Sequence, residues 1–458
     1  MDIFFQRFPN LCLDIFDQLD DQNLAKAKEV SVTSWNFINS QKFWWIRLIQ
    51  KWGNDDLNDN PDIWRRVIIR TPIEIVKNLG IASRQYYKCC HKGRNISPLH
   101  ISANSGDLRL CMEILNKLKL KNPKCEEGCT PLHSAAWVGY TEIYKYLMKD
   151  LKEINPANND GYTPLFIAAQ NGHIDICKVI IGDLDDKNPA KSDGYTPLYI
   201  AAENGHFDVC KFIIDNVDEK NPAKSGGGTP LYMAAQNGHF DVCKLIIDNV
   251  DEKNPATNDG FTPLYVAASN GHIDICKLII DNVGNKNPAN NDGHTPLHIA
   301  AQNGNFEICK LIIENVDNEN PAANNGCTPL QIAAEKGYFD IFKFIFDNVV
   351  EKNPAGNDGF TPLHYACKGG YYDICKLIIE NVDDKNPANI NGMTPLHTAA
   401  YNGQFEICKL IIDNVDNTNP AANDGRTPLQ IMAKYYGYFA AFKLIYYRLC
   451  KYTKKMFE

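Results

Sequence analysis

Along most of this chain the apolar positions fall into two short helical stripes that recur together every 33 residues. In the stretch from Thr163 to Ile181, Leu165, Ile167, Ala168 and Ala169 mark one side of a first helix of about two turns, with small residues where a neighbour must come close. Asp175, Ile176, Cys177, Val179, Ile180 and Ile181 mark a second amphipathic helix, with Lys178 turned outward. Thr163 stands where a hydroxyl caps the first helix, and Pro164 where a missing amide proton costs nothing. Gly172 supplies the left-handed residue that ends it. The pattern therefore predicts antiparallel helix hairpins. Between them run polar stretches such as Asp185 to Gly194, where Pro189 holds Asn188 extended and Asp193-Gly194 turns the chain, which predicts a projecting β-turn finger. No hairpin this small buries both faces alone, so neighbouring hairpins must share one continuous core.

The register never slips. Thr-Pro-Leu, or Ser-Pro-Leu in the first copy, begins at Ser97, Thr130, Thr163, Thr196, Thr229, Thr262, Thr295, Thr328, Thr361, Thr394 and Thr427. A 33-residue period carrying Thr295-Pro-Leu-His-Ile-Ala300 resembles the ankyrin repeat. The fold class expected is all-α, with an ankyrin-repeat solenoid of about eleven helix hairpins over residues 94–458, the last one a C-terminal cap. One departure is systematic. Where the family carries Gly-Ala-Asp after the second helix, this chain has Val217-Asp218-Glu219 and Val250-Asp251-Glu252, so Asn216 or Asn249 is expected to take the left-handed cap.

Composition narrows the function. A formal charge of -8 with 44% hydrophobic residues is ordinary for a folded chain. Residues 1–90 carry 12 Lys and Arg against 11 Asp and Glu, and the remainder 35 against 44. A nucleic-acid partner needs a basic stripe, and none precedes Lys451, Lys454 and Lys455. No apolar run approaches the roughly 18 residues of a membrane span, and Met1 to Pro9 lacks a signal-peptide layout. Neither a nucleic acid nor a membrane is expected as a partner, and the location expected is intracellular, cytoplasmic or nuclear.

Eight of the 16 cysteines, Cys111, Cys177, Cys210, Cys243, Cys276, Cys309, Cys375 and Cys408, share one position in the second helix. Tyr144, Phe342 and Ala441 hold it elsewhere, so the position is a core slot that Cys fills as a small hydrophobe. Successive copies lie about 10 Å apart, beyond the roughly 7 Å limit between α-carbons for a disulfide, so reduced thiols are expected. Cys89-Cys90-His91 and Cys125 with Cys129 lack the paired spacing of a zinc module. The nine Asn-Pro-Ala copies, Asn155 to Asn419, read as turn chemistry. His133, His298, His364 and His397 share the fourth place of the motif with Phe166, Tyr199, Gln331 and Gln430, and none is paired with a nucleophile. With no phosphate-binding glycine loop either, no enzyme, metal or cofactor is expected.

The first 50 residues stand outside the repeat. Leu11, Ile15, Phe16 and Leu19, then Leu24 to Val30, then Trp35 to Leu48 read as three short helices with apolar faces too rich for solvent. The order Phe8-Pro9, Ile15-Phe16-Asp-Gln-Leu19, Val30-Ser31, Trp35 and Trp44 resembles the F-box over residues 1–50. The first helix is one residue short and the Val30 to Trp35 segment one residue long against that pattern. Residues 51–93 read as a helical linker, with Trp64, Val67, Ile68 and Ile69 packed and Pro72 to Leu79 a short helix.

An F-box joined to an interaction repeat resembles a substrate receptor of an SCF-type cullin-RING ubiquitin ligase. That resemblance implies that Pro9, Ile15, Phe16, Leu19, Leu24, Val30, Trp35 and Trp44 serve docking on a Skp-family adaptor, which bridges to cullin, while the repeats capture a target protein. The competing class is a non-catalytic ankyrin scaffold unrelated to ubiquitination. Target contacts are expected from residues that vary between otherwise interchangeable repeats, and aromatics are common anchors. Those residues are Trp137, Tyr162, Tyr195, Phe261, Phe360 and Tyr401, with packing on neighbouring fingers as the alternative role for their rings.

Overall fold

The structure, a computed structural model, describes residues 97–115 and 122–457. Its contacts divide the chain into two units, Met1–Pro222 and Ala223–Glu458. Within the described residues every element is a helix, and the helices come in pairs. The first unit holds α1 (Pro98–Ser105), α2 (Leu108–Leu115), α3 (Pro131–Val138), α4 (Thr141–Met148), α5 (Pro164–Gln170), α6 (Ile174–Asp183), α7 (Pro197–Glu203) and α8 (Phe207–Ile214). The second holds α9 (Pro230–Asn237), α10 (Phe240–Ile247), α11 (Pro263–Asn270), α12 (Ile273–Asn282), α13 (Pro296–Asn303), α14 (Phe306–Ile313) and α15 (Pro329–Lys336). It continues with α16 (Phe339–Asn348), α17 (Pro362–Gly369), α18 (Tyr372–Asn381), α19 (Pro395–Tyr401), α20 (Phe405–Asn414), α21 (Pro428–Tyr436) and α22 (Tyr438–Phe457). Inside each unit a first helix packs on the next first helix and a second helix on the next second helix, as α11 does on α13 and α12 on α14.

A first helix is short, and its N-terminus is closed donor by donor. In α5, Pro164 has no N–H to satisfy. The Leu165 N–H donates to Asn155 Oδ1 (2.8 Å), the Phe166 N–H to Thr163 Oγ1 (3.2 Å), and the Ile167 N–H to the Thr163 carbonyl (3.0 Å). The first three positions of the helix are thus accounted for, and the Ile167 bond is the first of the regular helical ladder. The Asn of Asn-Pro-Ala repeats this bond ten residues ahead, as Asn287 to the Leu297 N–H (3.0 Å) and Asn386 to the Leu396 N–H (3.0 Å). The motif is therefore turn chemistry with a specific further role, a cap for the next repeat.

Second helices end differently from expectation. In α12, Asn282 is the last helical residue, its amide Nδ2 donates back to the Leu278 carbonyl (2.9 Å), and Val283 follows in extended conformation (φ -125°, ψ 151°). Asn348, Asn381 and Asn414 do the same. In these four repeats, the counterparts of Asn216 and Asn249, the Asn is helical and takes no left-handed cap, because a side-chain amide that satisfies an orphan carbonyl removes the need for one. At Asn216 and Asn249 the amide again reaches four residues back, to the Phe212 and Leu245 carbonyls (2.8 Å each).

The cores follow the stripes. Leu264, Ala267, Ala268, Cys276, Ile279 and Ile280 are all fully buried. The shared Cys slot is buried throughout, including Tyr144, Phe342 and Ala441 in the repeats that lack Cys. Burial pushes the Cys177, Cys210, Cys243 and Cys276 thiols up to about 12, the behaviour of an inert core group.

Candidate protein-binding surface

Each finger is a tight turn that ends one residue before the capping threonine. In one, the Asn158 N–H donates to the Tyr162 carbonyl (2.9 Å) and the Gly161 N–H to the Asn158 carbonyl (3.0 Å). Successive fingers are then tied together at the repeat spacing. The Asn324 N–H donates to the Asp292 carbonyl (3.0 Å) and its Nδ2 to the Asn291 carbonyl (2.9 Å). Glycine is required where these turns meet. Gly293 has φ +82°, and a Cβ there would stand 2.6 Å from the Asn324 backbone nitrogen.

The last finger residue lies four positions before the fourth residue of the motif, so their rings meet across the finger and the helix start. Tyr162 meets Phe166 edge-on at 5.2 Å, Tyr195 meets Tyr199 at 4.7 Å, and Phe261 meets Tyr265 at 4.9 Å between centroids. In the first unit, Lys191 lies against both Tyr162 (3.8 Å from the centroid) and Tyr195 (5.6 Å), with Asp193 at 3.4 Å holding its ammonium. The result is a half-buried wall of rings around one cation. In the second unit burial raises the Tyr232 and Tyr265 phenols, and burial together with Asp358 pushes Tyr365 up to about 12. These hydroxyls stay protonated.

Where the fourth residue is histidine, it clamps two repeats. The Thr295 N–H donates to His298 Nδ1 (3.1 Å), so Nδ1 is the acceptor and the proton sits on Nε2, which donates to the Cys327 carbonyl of the next finger (3.1 Å). His133, His364 and His397 bond the Tyr162, Met393 and Arg426 carbonyls in the same way. His100, in the first copy, bonds the Cys129 carbonyl at 2.9 Å. Gln331 copies the arrangement, accepting from the Thr328 N–H (2.7 Å) and donating to the Phe360 carbonyl (2.8 Å). Burial brings His133, His298 and His364 down to about 4, so these rings are neutral clamps.

The six expected target contacts occupy different surroundings. Tyr162 and Tyr195 are brought together through Lys191. Trp137 is half-buried at the end of α3, where its carbonyl lies 3.1 Å from His173 Nε2. Phe261 is half-buried on Tyr265, and Phe360 on His364 and Tyr365. Tyr401 is exposed, meets Tyr435 of the last repeat at 4.8 Å, and accepts a hydrogen bond from the Tyr436 hydroxyl on its carbonyl. Their rings pack mostly on the first helix of their own repeat. Lys191, Tyr199, Tyr265 and Tyr435 are not among the expected target contacts, although the four-residue spacing to a finger aromatic marks Tyr199 and Tyr265 directly. Pro9, Ile15, Phe16, Leu19, Leu24, Val30, Trp35 and Trp44 lie outside the described residues.

Among the described residues no group of three or more His, Cys, Asp or Glu is arranged to hold a metal ion, and no helix is long and apolar enough to cross a membrane. Cys125 and Cys129 flank a finger turn, and the hydrogen bond from Cys129 brings the Cys125 thiol down to about 7. At the far end of the second unit, a cleft of about 390 Å³ is lined by Asp424, Arg426, Gln430, Ile431, Lys434 and Tyr435, with Arg426 paired to Asp424.

Stacked helix hairpins with bonded fingers and a ring-lined face define a repeat protein whose surface binds other proteins. The family model described as ankyrin repeats (3 copies) matches residues 68–158, 151–223, 216–290, 283–355, 316–389 and 380–456. The chain therefore belongs to the ankyrin-repeat family, whose members are generally non-catalytic scaffolds for protein–protein interaction. No curated protein matches it.

Proposed function

We propose that this chain is a substrate receptor of an SCF-type cullin-RING ubiquitin ligase, with residues 1–50 an F-box, 51–93 a helical linker and 94–458 the repeats that capture the target. The observation that carries this reading is the order of Pro9, Ile15, Phe16, Leu19, Leu24, Val30, Trp35 and Trp44 ahead of a protein-binding repeat. The chain itself performs no chemistry in this scheme. It raises the effective concentration of target lysines near a charged conjugating enzyme. The ring wall of Tyr162, Tyr195 and Lys191 supports a target contact in the first unit, because preorganised aromatics add contact area with little further ordering. Trp137, Phe261, Phe360 and Tyr401 complete the proposed target contacts. The reading places the chain in the cytoplasm or nucleus, where core thiols stay reduced.

The test is co-purification of the full chain with a Skp-family adaptor and cullin, beside a Pro9→Ala, Phe16→Ala variant. Recovery of both partners by the wild type and their loss in the variant is expected. A folded wild-type chain that recovers neither sinks the ligase reading and leaves a plain ankyrin scaffold.

A further inference from the structure

From the second repeat to the tenth, the second and fifth positions of the second helix are an acidic residue and a lysine, as in Glu142 and Lys145 or Glu406 and Lys409. The ninth is Glu380 and then Asp413 in the last of these repeats, and the twelfth place, just past the end of the helix, holds Asp383 and then Asp416. These places face solvent, and a charged row there keeps the outside of a repeat stack wetted. In α22 the same four places hold Phe439, Phe442, Tyr446 and Leu449, which are 72%, 61%, 62% and 58% exposed. Tyr438, which begins the helix, is 87% exposed. The core contacts of α22 are made by Ala441 and Leu444 on its other side, so packing does not account for the exchange of charge for rings.

The charge of this helix is equally out of step. α22 carries Lys443, Arg448, Lys451, Lys454 and Lys455, five of the chain's 47 Lys and Arg and none of its 55 Asp and Glu, with Glu458 following directly. Lys443 Nζ stands 4.9 Å from the Phe439 ring centroid, at the edge of the apolar face. The nearby carboxylates of α20 are engaged, Glu406 by Lys409 at 3.1 Å and Asp413 by the Tyr447 hydroxyl.

We propose that α22 docks on an anionic lipid surface, with Tyr438, Phe439, Phe442, Tyr446 and Leu449 set among the headgroups and Lys443, at the edge of that face, held at the phosphate level. Three observations select this occupant. Side chains this exposed form a ridge, and a ridge enters a soft interface where a peptide ligand needs a groove. The cation excess with no carboxylate complements an anionic leaflet. A second copy seated helix on helix would instead bring two sets of five cations together. The sequence expectation of no membrane partner rested on the absence of a spanning run, and a helix lying on the surface requires none.

The test is flotation of the full chain with phosphatidylcholine vesicles, either pure or containing about 30% phosphatidylserine, a content that gives a strongly negative surface. The chain is expected to float with the anionic vesicles alone. Phe439→Ser, Phe442→Ser, Tyr446→Ser together are expected to weaken binding at least about tenfold with an unchanged circular dichroism spectrum, because the lost groups are exposed. Lys454→Gln with Lys455→Gln should weaken it in proportion to charge. Failure to bind either vesicle, equal binding to both, or wild-type binding by the triple variant overturns the proposal. So does a dimer in sedimentation that the triple variant dissolves, which would assign the ridge to a second copy.

Discussion

The histidine clamps make the second unit acid-sensitive in a way that can be calculated. His298 and His364 are 1% and 0% exposed, accept a backbone N–H on Nδ1 and donate from Nε2 to the next finger. Adding a proton to Nδ1 breaks the first bond and buries a charge. Burial accordingly brings both rings from 6.5 to about 4. With the folded value depressed, the unfolded chain binds protons first, so the stability is fully present above pH 6.5 and is lost as pH falls toward about 4. Linkage gives about 2 kcal/mol per histidine at about pH 5, hence about 4 kcal/mol for the pair. The perturbation is His298→Gln with His364→Gln, for which Gln331 is the template in the same fold. Urea unfolding followed by circular dichroism at about pH 7.5 and about pH 5 measures the difference. Carboxylates titrate alike in both proteins, so the wild type should lose about 4 kcal/mol more than the variant between the two conditions. A pH dependence equal within about 1 kcal/mol would refute the clamp as described.

Other outcomes follow from single contacts. Gly293→Ala, which forces a Cβ against the Asn324 nitrogen at positive φ, should cost at least about 2 kcal/mol in the same unfolding assay. Asn287→Ala removes the acceptor for the Leu297 N–H and should cost about 1 kcal/mol, read as a lower melting temperature. The core thiols, held up to about 12 and fully buried, should react with an alkylating reagent only at the rate of unfolding, whereas Cys125, brought down to about 7 and 8% exposed beside its finger turn, should react faster than they do. Rapid labelling of Cys243 or Cys276 in the native chain would contradict their placement.

Much of the local structure is legible in the residues. Pro164 and Thr163 announce the first helix, Gly172 its end, and the Cys slot its core side, and the structure places each there. The close of the second helix is not legible in sequence because Asn offers two remedies for an orphan carbonyl, a left-handed backbone or a reaching amide, and local propensity does not choose between them. The ring wall was half visible. Tyr162 and Tyr195 stand out in sequence, whereas Lys191 reads as an ordinary polar finger residue until its ammonium is seen against both rings.

The 33-residue rhythm by itself determined that most of the chain consists of helix hairpins with turns between them, since caps, turns and apolar stripes are short-range requirements written in neighbouring residues. Which atoms of one repeat meet which atoms of the next was decided only by tertiary packing. A period makes residues equivalent without saying how far the copies slide past one another. The slide sets His298 on the carbonyl 29 residues ahead, Asn324 on the carbonyl 33 behind, and His206 on the Gln170 carbonyl 36 behind. It also leaves Phe439, Phe442 and Tyr446 facing outward, with no core of their own to fill.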